Sequence, residues 1–110
     1  MDLNVIVLAG TLAAEPETRR FDSGTTMMRF LLTVRSSSPR GRVDVIPIVL
    51  WDPDDHDELP DARGQRTWVV GSIQRRFWSS GDSRRSRVEI VAHEVRRRVE
   101  TGSEEVLETA

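Results

Sequence analysis

Residues 25–35 alternate with period two. Met28, Phe30, Leu32 and Val34 fall on one face, and Met27, Arg29, Leu31, Thr33 and Arg35 on the other. Successive side chains of an extended chain point to opposite sides, so this period predicts a half-buried β-strand. Residues 43–51 repeat the pattern, with Ile46, Ile48 and Leu50 on one face and Val43, Val45, Pro47, Val49 and Trp51 on the other. Pro47 has no N–H to give to a ladder, which predicts an edge or a bulge there. The apolar, β-branched run 3–12 is too short for a helix and predicts a buried strand, with Gly10 marking a bend. Residues 65–78 predict a long strand bent at Gly71. Gly81-Asp82 predicts a hairpin tip. Residues 86–95 return, with Val88, Ile90 and Ala92 on one face and Arg87, Glu89, Val91 and His93 on the other.

The remaining segments read as connections. Residues 13–20 carry Pro16, Asp22-Ser23-Gly24 is a turn signal, and residues 36–42 form a flexible loop. Residues 52–64, with Pro53 and Pro60, have room for one short helical turn at most. Residues 99–110 show no period and predict a mobile acidic tail. Five strands with an insert after the third match the plan of an all-β, five-stranded OB-fold barrel. The division expected is therefore one OB-fold domain over 1–98 and a short tail over 99–110.

A chain of 110 residues buries one modest core and gains from self-association. No apolar run is long enough for a helical membrane span, and no basic segment precedes an apolar one as in a secretory leader. Cysteine is absent, which excludes disulfides, thiolate metal sites and a Cys nucleophile. A cytoplasmic, nucleoid-associated location is the expectation. The net charge of −2 is unevenly spread. Asp52, Asp54, Asp55, Asp57, Glu58 and Asp61 crowd the insert, whereas residues 62–99 hold ten arginines against Asp82, Glu89 and Glu94. Every basic residue is Arg, whose planar fork grips phosphate and stacks on rings.

Asn4-Val5-Ile6-Val7-Leu8-Ala9-Gly10-Thr11-Leu12-Ala13-Ala14-Glu15-Pro16-Glu17-Thr18-Arg19 resembles the opening of bacterial single-stranded-DNA-binding proteins. In those, an Asn leads an apolar strand, Leu-x-Gly-x-Leu follows, and an acid-Pro-Glu-x-Arg connector comes next. Ser23-Gly24, Trp68-Val69-Val70-Gly71, Arg76-Phe77-Trp78 and Glu89-Ile90-Val91-Ala92 are similar to that family in the same order. The resemblance implies an OB barrel assembled as a homo-oligomer, a tetramer favoured over a dimer. It also implies binding of single-stranded DNA without strong sequence preference in replication, repair or recombination, with no catalysis and no cofactor.

Such binders need cations along the phosphate path and flat rings for unstacked bases. Trp51 and Trp78 stand at positions resembling stacking aromatics of the family, and Trp78 adjoins Arg75 and Arg76. Arg84 and Arg85 surround the hairpin tip, Arg29 and Arg35 lie on the non-core face of their strand, and Arg63 follows the insert. These nine are the expected nucleic-acid contacts. Trp68, flanked by Thr67 and Val69, is expected in the core or a subunit interface, and Phe30 in the core.

The chain departs from the family at several points. Val45 stands where a second Trp is common, Ser38 where another aromatic is common, and the insert is short and acidic. The sequence ends Leu107-Glu108-Thr109-Ala110, without the acidic Pro-Phe tip that recruits repair enzymes. A divergent paralogue, or a relative resembling primosomal protein N, fits these departures. An OB-fold interaction module with weak or no DNA binding stays open as the alternative, as does RNA in place of DNA. Asp52-Pro53-Asp54-Asp55-His56-Asp57 offers oxygen ligands but lacks the glycine and terminal glutamate of a calcium loop, so no metal is expected. No P-loop, Gly-x-Ser-x-Gly or His-Glu-x-x-His is present, and an enzyme is not expected.

Overall fold

The computed structural model describes residues 1–37 and 41–98. Six strands follow in order: β1 (Ile6–Leu12), β2 (Glu17–Arg20), β3 (Thr26–Arg35), β4 (Val43–Trp51), β5 (Arg66–Ser80) and β6 (Ser83–Arg97). They pair in the order β1-β5-β6-β4-β3-β2, and β1 also meets β3 through Thr11↔Thr33 and Leu12↔Leu32. That last pairing closes β1, β5, β6, β4 and β3 into a five-stranded barrel. β2 continues along the same edge of β3, from Glu17↔Arg29 to Arg20↔Thr26. All pairs are antiparallel except β4–β6, which is parallel at Ile48↔Ile90 and Val49↔Val91.

The core is what the alternation of β3 and β4 dictates. Met28, Phe30 and Leu32 from β3 meet Ile48 and Leu50 from β4, with Leu12, Val69, Ala92 and Val95 completing the cluster. Phe30 is the largest of the fully buried side chains. Each such side chain adds about 1.5–3 kcal/mol through apolar burial. Two glycines let strands cross closely. A Cβ at Gly10 would strike the Thr33 carbonyl oxygen, and one at Gly71 would strike the Val91 carbonyl oxygen.

Four features differ from the expectation. First, the opening run is not a buried strand. It becomes a strand only at Ile6, and Val5 and Val7 are both 58% exposed. The pleat sends Leu8, Gly10 and Leu12 inward and Val7 outward, where no described residue covers it. The link to β5 is extended by Asn4, whose Nδ2 donates to Ile73 O (2.6 Å) while its Oδ1 accepts from Ile73 N (2.9 Å). Second, the connector over 13–20 contains β2, which is exposed throughout.

Third, β6 does not keep one period. Val70 pairs with Glu94 but Gly71 pairs with Ala92, so His93 is an extra residue in the ladder. Beyond this bulge the inward set changes parity, and Ala92 and Val95 both reach the core. Fourth, the insert is docked rather than a free acidic loop, and none of it is helical. Asp57 Oδ1 accepts from Val95 N (3.0 Å), and Glu58 N donates to Val95 O (2.9 Å). Leu59 packs on the core and Pro60 is fully buried.

Candidate nucleic-acid interface

In an antiparallel pair, directly opposed residues share a face. Applied across the sheet, this rule builds one outer surface. Met27 faces Trp51 and Arg29 faces Val49 on β3–β4. Val49 neighbours Val91 on β6. From Val91 the surface runs out along the hairpin through Gln74↔Glu89, Arg76↔Arg87 and Trp78↔Arg85. Residues 73–88 are exposed throughout, so the β5–β6 hairpin leaves the barrel as a two-stranded ribbon carrying this surface with it.

Two indoles stand on it. Trp51 is 37% and Trp78 is 39% exposed. Trp51 lies against Phe21, with ring centroids 5.9 Å apart and planes tilted by 31°, and Arg19 sits 5.1 Å over the Phe21 ring. Arg87 sits 5.7 Å over Trp78. Each indole is thus braced on one side and open on another, as a stacking platform must be. Beside Trp51 opens a cleft of about 160 Å³ lined by Gln74, Arg75, Arg76, Glu89 and Val91. Glu89 lies beneath the Arg76–Arg87 pair, with Oε1 at 3.6 Å from Arg76 Nη1 and 4.0 Å from Arg87 Nε. Like charges placed opposite each other repel, and the carboxylate offsets that repulsion.

The nine expected residues are not all brought together. Trp51, Arg29, Arg76, Trp78 and Arg85 share the outer surface. Arg35 shares it too but pairs with Val43 at the far end of β3, about 20 Å along the strand from Arg29 at ~3.3 Å per residue. Arg75 and Arg84 pair with Val88 and Ser79, on the opposite side of the ribbon. There Arg84 covers Phe77 at 4.7 Å and Arg75 donates to Ser86 Oγ at 3.1 Å, although Arg75 also borders the cleft. Arg63 lies outside the sheet, in the turn that leads into β5.

Arg87, Phe21, Arg19 and Glu89 were not singled out by sequence. For Arg87 a signal existed, because counting outward from a Gly81-Asp82 tip sets it opposite Arg76. Phe21 carried none, since it follows a strand with no apolar alternation. Trp68 is half-exposed on the outside of β5 and is not a core residue. It pairs with Ala9, and Val70 with Val7, so it belongs to a second, apolar face. Among the described residues, no group of three or more His, Asp or Glu converges as a metal ion requires, and no helix is long and apolar enough to cross a membrane.

The model of the single-strand binding protein family matches residues 3–98. The chain is 31% identical over 80 residues to Single-stranded DNA-binding protein 1 of Nostoc sp., covering 72% of this chain and 67% of that one. The same figures hold for a single-stranded DNA-binding protein of Anabaena variabilis. Among solved structures, the Plasmodium falciparum SSB in complex with ssDNA superposes with a TM-score of 0.71 at 23% identity, covering 90% of this chain and 97% of that one. A deletion mutant of the single-stranded DNA binding protein from Thermus aquaticus gives 0.70 at 23% identity, over 91% of this chain and 52% of that one. At such identity the two structures establish the barrel fold.

Proposed function

The chain belongs to the single-strand binding protein family, and from that premise we propose that it binds single-stranded DNA without strong sequence preference, as a non-catalytic protein of replication, repair or recombination. One observation carries the reading: Trp51 and Trp78 stand part-exposed on a continuous outer surface with Arg29, Arg76, Arg85 and Arg87. Bases stack on the indoles while guanidinium groups track the phosphates, and neither contact depends on base identity. Arg35 extends the path toward the β3–β4 turn, and Arg75 and Arg84 serve a strand that passes around the ribbon edge. Arg63 contributes only to a strand that continues past the barrel end. Residues 1–98 form the binding unit, working in the cytoplasm at the nucleoid.

Titration of the protein with labelled oligo-dT tests this. Binding quenches tryptophan fluorescence, and log K falls with log salt at about −0.7 per phosphate neutralised. Unchanged fluorescence and unchanged oligonucleotide polarisation at low salt would overturn the reading and leave an OB-fold interaction module. Competition between dT and rU oligomers separates DNA from RNA, because only a 2′-OH contact distinguishes them.

The second face supports self-association. Val7 on the outside of β1 and Trp68 on the outside of β5 are exposed apolar side chains, as is Val5 just before β1, and apolar surface of that kind marks contacts between proteins. A second copy of the chain covers it, in a tetramer or a dimer.

A further inference from the structure

Glu89 stands on the proposed binding surface with its carboxylate sunk beneath two arginines. Its side chain is 8% exposed, and Oε1 has no hydrogen-bond partner. Arg76 and Arg87 compensate its charge at 3.6 and 4.0 Å, but those separations are too long for hydrogen bonds. A buried acceptor without a donor is costly and calls for a physical explanation. Both guanidinium groups are half-exposed, and a phosphate that draws Arg87 outward leaves Arg76 alone beside the carboxylate, at a separation too long for a hydrogen bond.

The carboxylate lines the cleft beside Trp51, together with Gln74, Arg75, Arg76 and Val91. The cleft therefore holds an indole, an acceptor in need of a donor, and guanidinium donors next to it. A base with an exocyclic amino group beside a ring-nitrogen acceptor complements that arrangement. Cytosine offers its N4 amino group to the carboxylate and its N3 to a guanidinium, in keeping with the general pairing of Glu with cytosine N4. Thymine and uracil place a carbonyl O4 where the amino group should be, and two acceptors would face each other.

Resting on the single-stranded-DNA reading above, we propose that the cleft at Trp51 is a base-selecting subsite in which Glu89 accepts a hydrogen bond from an exocyclic amino group and disfavours thymine and uracil. The preference is local. It modulates one base position on a surface whose other contacts, stacking and phosphate, are indifferent to sequence.

The test uses equal-length oligomers of dC, dU and dT with the full chain and its Glu89→Gln and Glu89→Asp variants, at mildly alkaline pH and one salt concentration. The readout is the ratio of dC to dU affinity in each protein. Stacking within the free strands is the same whichever protein binds, so it cancels when these ratios are compared. A carboxamide donates to O4 as readily as it accepts from an amino group, so Glu89→Gln lowers the ratio by about fivefold or more. Glu89→Asp keeps a negative charge near the arginines but withdraws it by one methylene, and lowers the ratio less. Oligo-dT follows dU, which excludes the methyl group as the cause. Ratios equal within about twofold in all three proteins would overturn the proposal. If Glu89→Gln fails to fold, the Glu89→Asp ratio decides alone, an unchanged value overturning it. Absence of binding to any oligomer by the unaltered chain would instead sink the proposed function itself.

Discussion

Asp52 is a non-glycine residue held at positive φ, 45°, directly after Trp51. Its backbone N donates to Thr26 O at 2.8 Å, and its Oδ1 accepts from Thr26 N at 2.9 Å. The side chain thus extends the β3–β4 ladder past its last pair, Met27↔Trp51, and fixes the strand end that carries the indole. Asp52→Ala removes the acceptor while keeping the strained backbone, and is expected to cost about 1–3 kcal/mol in urea denaturation. Asp52→Asn keeps an accepting oxygen and suits the left-handed region, so its cost is smaller. Under the proposed function, the indoles act on binding rather than on stability. Trp78→Ala is expected to weaken oligo-dT binding by about 5–150-fold, the equivalent of 1–3 kcal/mol for one lost stack, with little change in the urea midpoint because the ring is outside the core. A large fall in stability with unchanged affinity would show that the ring packs rather than stacks. Neither role was equally visible in the sequence. Trp78 announced itself through its neighbours Arg75 and Arg76, whereas Asp52 was one carboxylate among six and only its backbone angle sets it apart.

Among the elements, the long hairpin shows where the reading from sequence ends. β3, β4 and the tip at Gly81-Asp82 were legible because strict alternation and a glycine-acid pair leave few other options. The bulge at His93 was not, because period two was carried through a strand whose ladder slips by one residue. β2 was not, because an all-exposed strand has no hydrophobic period to display. The docking of the insert is invisible for a related reason: its contacts are hydrogen bonds to the Val95 backbone, which composition does not record. These contacts make a prediction of their own. Val95 N sits just past the bulge and takes its acceptor from Asp57. Asp57→Ala leaves that donor unmatched and loosens Leu59 and Pro60 from the barrel end, for an expected loss of about 1–3 kcal/mol. Asp55→Ala, in the same acidic run, is expected to stay within about 0.5 kcal/mol. Equal effects of the two would mean that the insert is held by charge in general and not by this bond.

For the whole molecule, the two proposed roles fall on different outer surfaces. One carries rings and arginines along β3, β4 and the ribbon. The other is apolar and carries Val7 on β1 and Trp68 on β5, with Val5 exposed just before β1. A single barrel of this size buries a limited fraction of its surface, so covering the apolar face with another copy stabilises it appreciably. Self-association through this face has a sharp test because Val7 is exposed in the isolated chain. If the protein were monomeric, Val7→Asp would change stability by no more than about 0.5 kcal/mol and leave the mass in solution untouched. In an assembly built on that face, two or more buried carboxylates would meet across the contact without partners, which is strongly unfavourable. Light scattering should then show the variant at half the mass of the unaltered protein or less, with a lower midpoint of thermal unfolding. Retention of the parent mass by Val7→Asp would place the subunit contact elsewhere and add Trp68 to the rings free to meet a base.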